Sequence, residues 1–317
     1  MRVEWQNSTP QLNAECDVKE NILAISSDAV GSDCISRKMI MPILDILIPT
    51  LTSILNFSIK TSTFPSAWKE AQLTPLPKKR NPSYMSDYRP ISILPFLSKV
   101  LERLINQQLN KYLITNSLFN PLQSGYRPGH STTTALVNIS DDIRFSMEKH
   151  QVTLMVLLDF SNAFNNIDFD ILLAIMYSLN ISPTVIDWFH SYLYGRKQRI
   201  RIQDSYSEWS PVIAGVPQGG VLSPLLFSLF INYLCQYISS PYHLYADDLQ
   251  MYRHCTLHEL PHFISTLSTD LTDISALSKS LGLTLNPSKT QAIIIGSPRS
   301  ICQIKFNELP SIICSME

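Results

Sequence analysis

With 317 residues, 45% of them apolar and 16% charged, the chain has enough apolar surface to bury a core and too little charge to be held open by self-repulsion. Its 25 Lys and Arg against 26 Asp and Glu leave a formal net charge of −1, so the overall basic signature of many nucleic-acid-binding domains is missing. A polyanionic partner would have to be met by a local patch. Six cysteines (Cys16, Cys34, Cys235, Cys255, Cys302, Cys314) form no CxxC pair, and no positive-then-apolar leader opens the chain, which fits a reduced intracellular compartment.

The first thirty residues are polar and without period, a lead-in. From Ile40 to Ile59 apolar residues recur at helical spacing, and the spacing predicts an amphipathic helix. The most apolar part, Met39 to Phe57, is broken by Pro42, Asp45 and Pro49, short of the roughly 20 uninterrupted residues of a membrane span. Six prolines between Pro65 and Pro95 predict extended segments and turns, and Ser98 to Leu113 returns to helical period. Val152 to Leu158 is a short continuous apolar run ending at Asp159, predicted as a strand buried on both faces. Pro241 to Tyr252 reads as a hairpin with Asp247 and Asp248 at its turn. Phe263 to Leu281 reads as a helix stopped at Gly282, Gln291 to Ile295 as a strand, and Ile304 to Leu309 as a short strand and turn.

Asp247, Asp248 and Asp159 are more carboxylate than apolar packing requires. Crowded carboxylates raise one another's pKa, so a cluster that stays ionised normally holds a cation, and oxygen-only ligation suits Mg²⁺. Taken alone, Asp-Asp at a turn is more often just a solvated turn. The flanking residues change that balance. Tyr245-Ala246-Asp247-Asp248, the segment Gly215 to Phe227 (GVPQGGVLSPLLF) and Leu158 to Phe164 (LDFSNAF) stand with Asp87 to Ser92, Ser98 to Arg103, Gln123 to Arg127 and Gly282 to Thr290. Together, from about Gly31 to Lys289, they resemble in order the reverse transcriptases of LINE-type (non-LTR) retrotransposons, of the jockey-like kind.

The resemblance implies an α+β right-hand polymerase over about residues 60–300. Its fingers, with an N-terminal helical part, would take 31–150, and a palm with an antiparallel sheet packed on helices would take 151–300. Residues 301–317 would be a truncated tail, with the thumb missing and no room for an endonuclease or ribonuclease H domain. It implies an RNA-directed DNA polymerase acting on an RNA template, a DNA primer and dNTPs, with two Mg²⁺ ions (Mn²⁺ able to substitute) and no membrane. Asp159, Asp247 and Asp248 would hold the metals, Lys289 would meet the triphosphate and protonate pyrophosphate, and Phe164 would exclude a ribose 2′-hydroxyl. Phe160, Gln218, Gly219 and Arg89 would contact the nucleotide.

Nucleic-acid contacts are expected from Lys78, Lys79 and Arg127, and from Arg196, Lys197, Arg199 and Arg201. From Lys60 to Lys111 nine basic residues face three acidic ones, and Arg199 and Arg201 alternate with Ile200 and Ile202, as on one face of a strand. Three positions depart from the family pattern: Asn162, where Lys or Arg is usual, Asn165, where Asp is usual, and Gly220, where Ser is usual. A zinc-protease motif, His258-Glu259-Leu260-Pro261-His262, is opposed by Pro261 and by the lack of a third ligand after it. A non-catalytic retrotransposon remnant stays open as the second reading, and an RNA-dependent RNA polymerase is a weaker one.

Overall fold

The computed structural model describes residues 12–127, 129–161 and 163–309. In chain order its helices are α1 (Glu15–Leu23), α2 (Arg37–Ile40), α3 (Leu44–Lys60), α4 (Phe96–Thr115), α5 (Thr132–Glu148), α6 (Phe169–Ser178), α7 (Pro183–Leu193), α8 (Ser223–Cys235), α9 (Leu260–Ser280) and α10 (Pro298–Ile301). The strands are β1 (Glu70–Pro77), β2 (Tyr88–Ile93), β3 (Val152–Leu158), β4 (Phe160–Ser161), β5 (Lys197–Ile202), β6 (Ser205–Tyr206), β7 (Ser210–Pro211), β8 (Tyr242–Tyr245), β9 (Asp248–Cys255), β10 (Thr284–Leu285) and β11 (Gln291–Ile295). Helix and strand are mixed, and the strand pairs are antiparallel except for β1 with β5. Two units form, each from two stretches: Met1–Leu118 with Ile167–Phe227, and Phe119–Asn166 with Ser228–Glu317. The resemblance implies a single division, between residues 150 and 151; the packing interleaves the chain. Asn162 lies outside the described residues.

In the first unit, α1 corrects the reading of residues 1–30 as a lead-in. Val18 and Ile22, one helical turn apart, are fully buried, and α1 packs on α3 and α4. Val18 and Ile22 are a single i, i+4 pair in a largely polar stretch, too little to register as a sustained period. A continuous helical stretch, Arg37–Lys60, runs through α2, a 3₁₀ turn and α3; it is long and apolar enough by length and composition to cross a membrane. Here its Leu44, Ile48, Leu51, Leu55 and Ile59 are buried. The aromatic core stacks Trp188 on Tyr192 at 5.6 Å, with Phe64 edge-on to both. Burying each such side chain contributes about 1.5–3 kcal/mol. Beside it, β1 pairs antiparallel with β2 from Gln72↔Ile93 to Pro77↔Tyr88 and parallel with β5.

The second unit is built on the antiparallel sheet β11-β3-β9-β8. Its central strand β3 is buried at six of seven positions, which is why its sequence runs apolar without alternation. Helix α9 packs on β3 and β9 through Ile264, Leu267, Leu271 and Ile274, and α5 packs on β3 and β8. After α9, Gly282 takes φ +75, and β10 pairs with β4. The strand expected at Ile304 to Leu309 is not formed; the stretch after α10 holds a 3₁₀ turn, Phe306–Glu308, and residues 310–317 lie outside the described ones.

Candidate active site

Asp159 follows directly on β3, and Asp248 opens β9. The pairing Leu158↔Leu249 places those two positions next to each other across the sheet, while Tyr245↔Asp248 leaves only Ala246 and Asp247 to turn the chain. Lys289 reaches the same place from the loop before β11: its Nζ donates to Asp159 Oδ2 at 2.9 Å. Asn286 fixes that loop, its backbone N–H donating to the Asp159 carbonyl at 2.8 Å and its Nδ2 to Asp159 Oδ2 at 3.4 Å. The Lys289 side chain is 63% exposed and that of Asp159 23%, so the pair is worth at most about 1 kcal/mol and is easily exchanged. The Asp248 carboxyl is pushed up first by loss of solvent, then by the charges of Asp247 and Asp159, with Lys289 opposing.

Three mutually repelling carboxylates, all oxygen donors, with an ammonium resting on one of them, suit a hard divalent cation by donor chemistry. Among the described residues no three His, Cys, Asp or Glu side chains come together closely enough to hold a metal ion by themselves. Mg²⁺ usually keeps several waters and is bound by one or two protein carboxylates together with substrate phosphates.

The turn itself is held from the side. Ala246 is buried with φ +57, a conformation costing an L-residue roughly 1–2 kcal/mol. Gln123 Oε1 accepts from the Ala246 N–H at 3.1 Å and from the Gly125 N–H at 2.7 Å, and its Nε2 donates to the Ala246 carbonyl at 3.3 Å. Three residues after Gln123, Tyr126 lies edge-on to Phe164 with ring centroids 6.1 Å apart. Desolvation and then the charge of Asp247 push its phenol up. Phe164 sits in a 3₁₀ turn, Ala163–Asn165, with Asn165 exposed. Phe160 does not match its expected nucleotide contact: its ring is 3% exposed and belongs to the core, because β4 turns it inward opposite Leu285.

In the first unit, Gln218 and Gly219 lie in the loop before α8. The Gln218 carbonyl accepts from the Ser92 N–H of β2 at 2.7 Å, and Gly219 has φ +121 with no room for a Cβ, which would stand 2.7 Å from the Ser92 carbonyl oxygen. Fully buried Glu102 of α4 braces the loop: Oε2 accepts from the Val221 and Leu222 N–H groups at 2.7 and 3.3 Å, and Oε1 from Ser98 Oγ at 2.9 Å. A Cβ on Gly220 would meet Ser223 Oγ at 2.6 Å and Glu102 Oε2 at 3.1 Å, so glycine suits this packing at a position where the resemblance implies serine.

Of the basic residues, Arg89 is exposed on β2, Lys78 donates to the Ser86 carbonyl at 2.9 Å, and Lys79 pairs with Asp87 at 2.9 Å. Lys197 and Arg201 are exposed on β5, and Arg199 lies 4.1 Å from the Tyr206 ring and 4.5 Å from that of Trp209. Arg196 is the exception to its cluster. It is 3% exposed, donates to the Tyr192 carbonyl at 3.0 Å and lies over the Tyr192 and Phe64 rings, so it is a core cation and not a phosphate contact. In the second unit Arg127 is turned back on its own loop, donating to the Asn120 carbonyl at 3.1 Å. In the zinc-protease motif, Glu259 accepts from Thr256 N–H and Oγ1, and α9 begins at Leu260, so His258 and His262 share no helix face. Gln123, Tyr126, Glu102 and Asn286 are visible in the sequence only as members of matched segments; nothing in their spacing marks them singly.

The family pattern described as "Reverse transcriptase (RNA-dependent DNA polymerase)" matches residues 76–306. The chain is 31% identical over 277 residues, 83% of its length, to the "Probable RNA-directed DNA polymerase from transposon BS" of Drosophila melanogaster, of which it covers 30%. It is 30% identical over 241 residues, 74% of its length, to the corresponding "Probable RNA-directed DNA polymerase from transposon X-element" of the same organism, covering 26%. It is also 30% identical over 231 residues, 72% of its length, to the "RNA-directed DNA polymerase from mobile element jockey", covering 25%.

Proposed function

The chain belongs to the reverse transcriptase family, as a reverse transcriptase domain of the non-LTR retrotransposons, and from that premise we propose that it carries the RNA-directed DNA polymerase centre of such an element. In this reading the β3, β8 and β9 sheet is the palm and the β1–β2 hairpin belongs to the fingers. The observation that carries it is the meeting of Asp159, Asp247, Asp248 and Lys289 at one end of the central strands β3 and β9.

Asp159 and Asp247, assisted by Asp248, would hold two Mg²⁺ ions, with Mn²⁺ able to replace them. When bound, the ions supply a lowered pKa for the primer 3′-hydroxyl and neutralisation of the leaving pyrophosphate. Lys289 holds its proton on Asp159 Oδ2 and is poised to give it to pyrophosphate. The Phe164 ring, backed edge-on by Tyr126, fills the space a ribose 2′-hydroxyl would need. Gln218 and Gly219 meet the incoming nucleotide and Arg89 its phosphates. Lys78, Lys79, Lys197, Arg199 and Arg201 grip template and primer phosphates without reading sequence. One face of Arg37–Lys60 packs into the first unit, and in this reading the protein works inside the cell away from the membrane.

Extension of a DNA primer on an RNA template with Mg²⁺ tests the proposal. Product is expected from the parent chain. Asp247→Asn should abolish product while leaving the melting temperature unchanged, and Phe164→Ala should admit ribonucleotides. Parent product no greater than that of Asp247→Asn overturns the reading and leaves a non-catalytic remnant.

A further inference from the structure

We propose that Gln123 is a positioning residue for the catalytic turn: its side-chain amide holds Ala246 in the left-handed conformation from which Asp247 and Asp248 take their direction. The proposal rests on the reading of those aspartates as metal-holding groups.

A two-residue hairpin turn with positive φ at its first central residue normally places glycine there. Here Ala246 occupies that position at φ +57, between Tyr245 and Asp248, which pair with each other. Nothing in an alanine favours the conformation, so the holding force comes from outside the hairpin. Gln123 supplies it from both sides of the same residue, accepting the Ala246 N–H and donating to the Ala246 carbonyl. The second lone pair of Oε1 is taken by Gly125 N–H, which orients the amide and is itself local to the segment.

The backbone around Gln123 is fixed to the neighbouring strand. Ser124 N–H donates to the Leu244 carbonyl at 2.8 Å and Leu244 N–H to the Leu122 carbonyl at 2.9 Å, so the segment runs as a short parallel bridge along β8. Gly125 then passes so close that a Cβ would stand 2.1 Å from the Ala246 nitrogen. That contact is backbone on backbone and leaves no side chain to move aside. Gln123 itself is fully buried, where an amide must find its partners within the protein. Its partners are the turn.

Two readouts separate a holding role from mere core filling. The first is hydrogen exchange at the Ala246 amide, measured on the metal-free full chain. Gln123→Leu keeps the volume and removes the hydrogen bonds; it should speed exchange there by about tenfold or more while amides of β3 and α9 stay at parent rates. The second is primer extension. Gln123→Leu should lower kcat about tenfold or more with KM for dNTP changed less than about threefold, the pattern of a displaced catalytic group. Adding Ala246→Gly should restore much of the lost kcat, because glycine takes positive φ unaided.

Parent-like exchange at Ala246 in Gln123→Leu, or no recovery on adding Ala246→Gly, overturns the proposal. Should Gln123→Leu lose its cooperative melt, Gln123→Met takes its place; it likewise lacks both the acceptor and the donor, and parent-like exchange in it overturns the proposal equally. A parent chain that makes no product defeats the polymerase reading, and the exchange measurement still decides the clamp.

Discussion

Glu102 and Asp159 are both carboxylates near apolar residues, and the sequence treats them very differently. Asp159 ends a seven-residue apolar strand, so its charge stands out against its surroundings. Glu102 occupies one position of an amphipathic helix, where a solvated glutamate is ordinary. Its partners are the amides of Val221 and Leu222, more than a hundred residues later, and no local pattern records that. Removing a buried acceptor of this kind leaves those donors without their partner, so Glu102→Ala should destabilise the protein by about 3 kcal/mol in urea unfolding. A loss below about 1 kcal/mol would mean that water replaces the carboxylate at no cost.

The β1–β2 hairpin shows how far an element can be read and where reading stops. Its prolines and turn residues announce extended chain, as do the apolar runs of β3 and β11. Its parallel partner β5, joined through Glu70↔Lys197, comes from chain far downstream and could not be deduced from either strand. Helix α6, apolar on nearly every side, carries no clear helical period and was legible only from packing. The hairpin loop depends on Asp87, whose carboxyl is brought down to about 2, first by the hydrogen bond from Lys79 and then by the Tyr84 and Ser83 N–H groups. The folded value lies below the ordinary one near 3.8, so the contribution is complete above about pH 4 and is lost as pH falls toward 2. Amide exchange in residues 78–87, corrected for intrinsic rate, should therefore accelerate over that window in the parent. Asp87→Asn should show the faster exchange already at pH 5, and a parent-like pH profile in that variant would exclude this origin.

Across the whole molecule, a formal charge of −1 conceals separate basic regions, and burial decides which of their members count. Arg196 is held in the aromatic core, whereas Lys197 and Arg201 are exposed. Changing Lys197, Arg199 and Arg201 to Ala should weaken binding to an RNA–DNA duplex and reduce the slope of log affinity against log salt by roughly 2–3, read by fluorescence anisotropy across KCl concentrations. An unchanged slope would remove β5 from the phosphate grip. The interleaving of the two units also bears on how the chain is made. The strand leading to Asp159 acquires its sheet neighbours only from residues 248–255 and 291–295. At about 5–20 residues per second of synthesis, one of the most apolar strands in the protein leaves the ribosome and stays unpaired for roughly 5 to 30 seconds, an interval in which a chaperone, or another nascent copy, can reach it first.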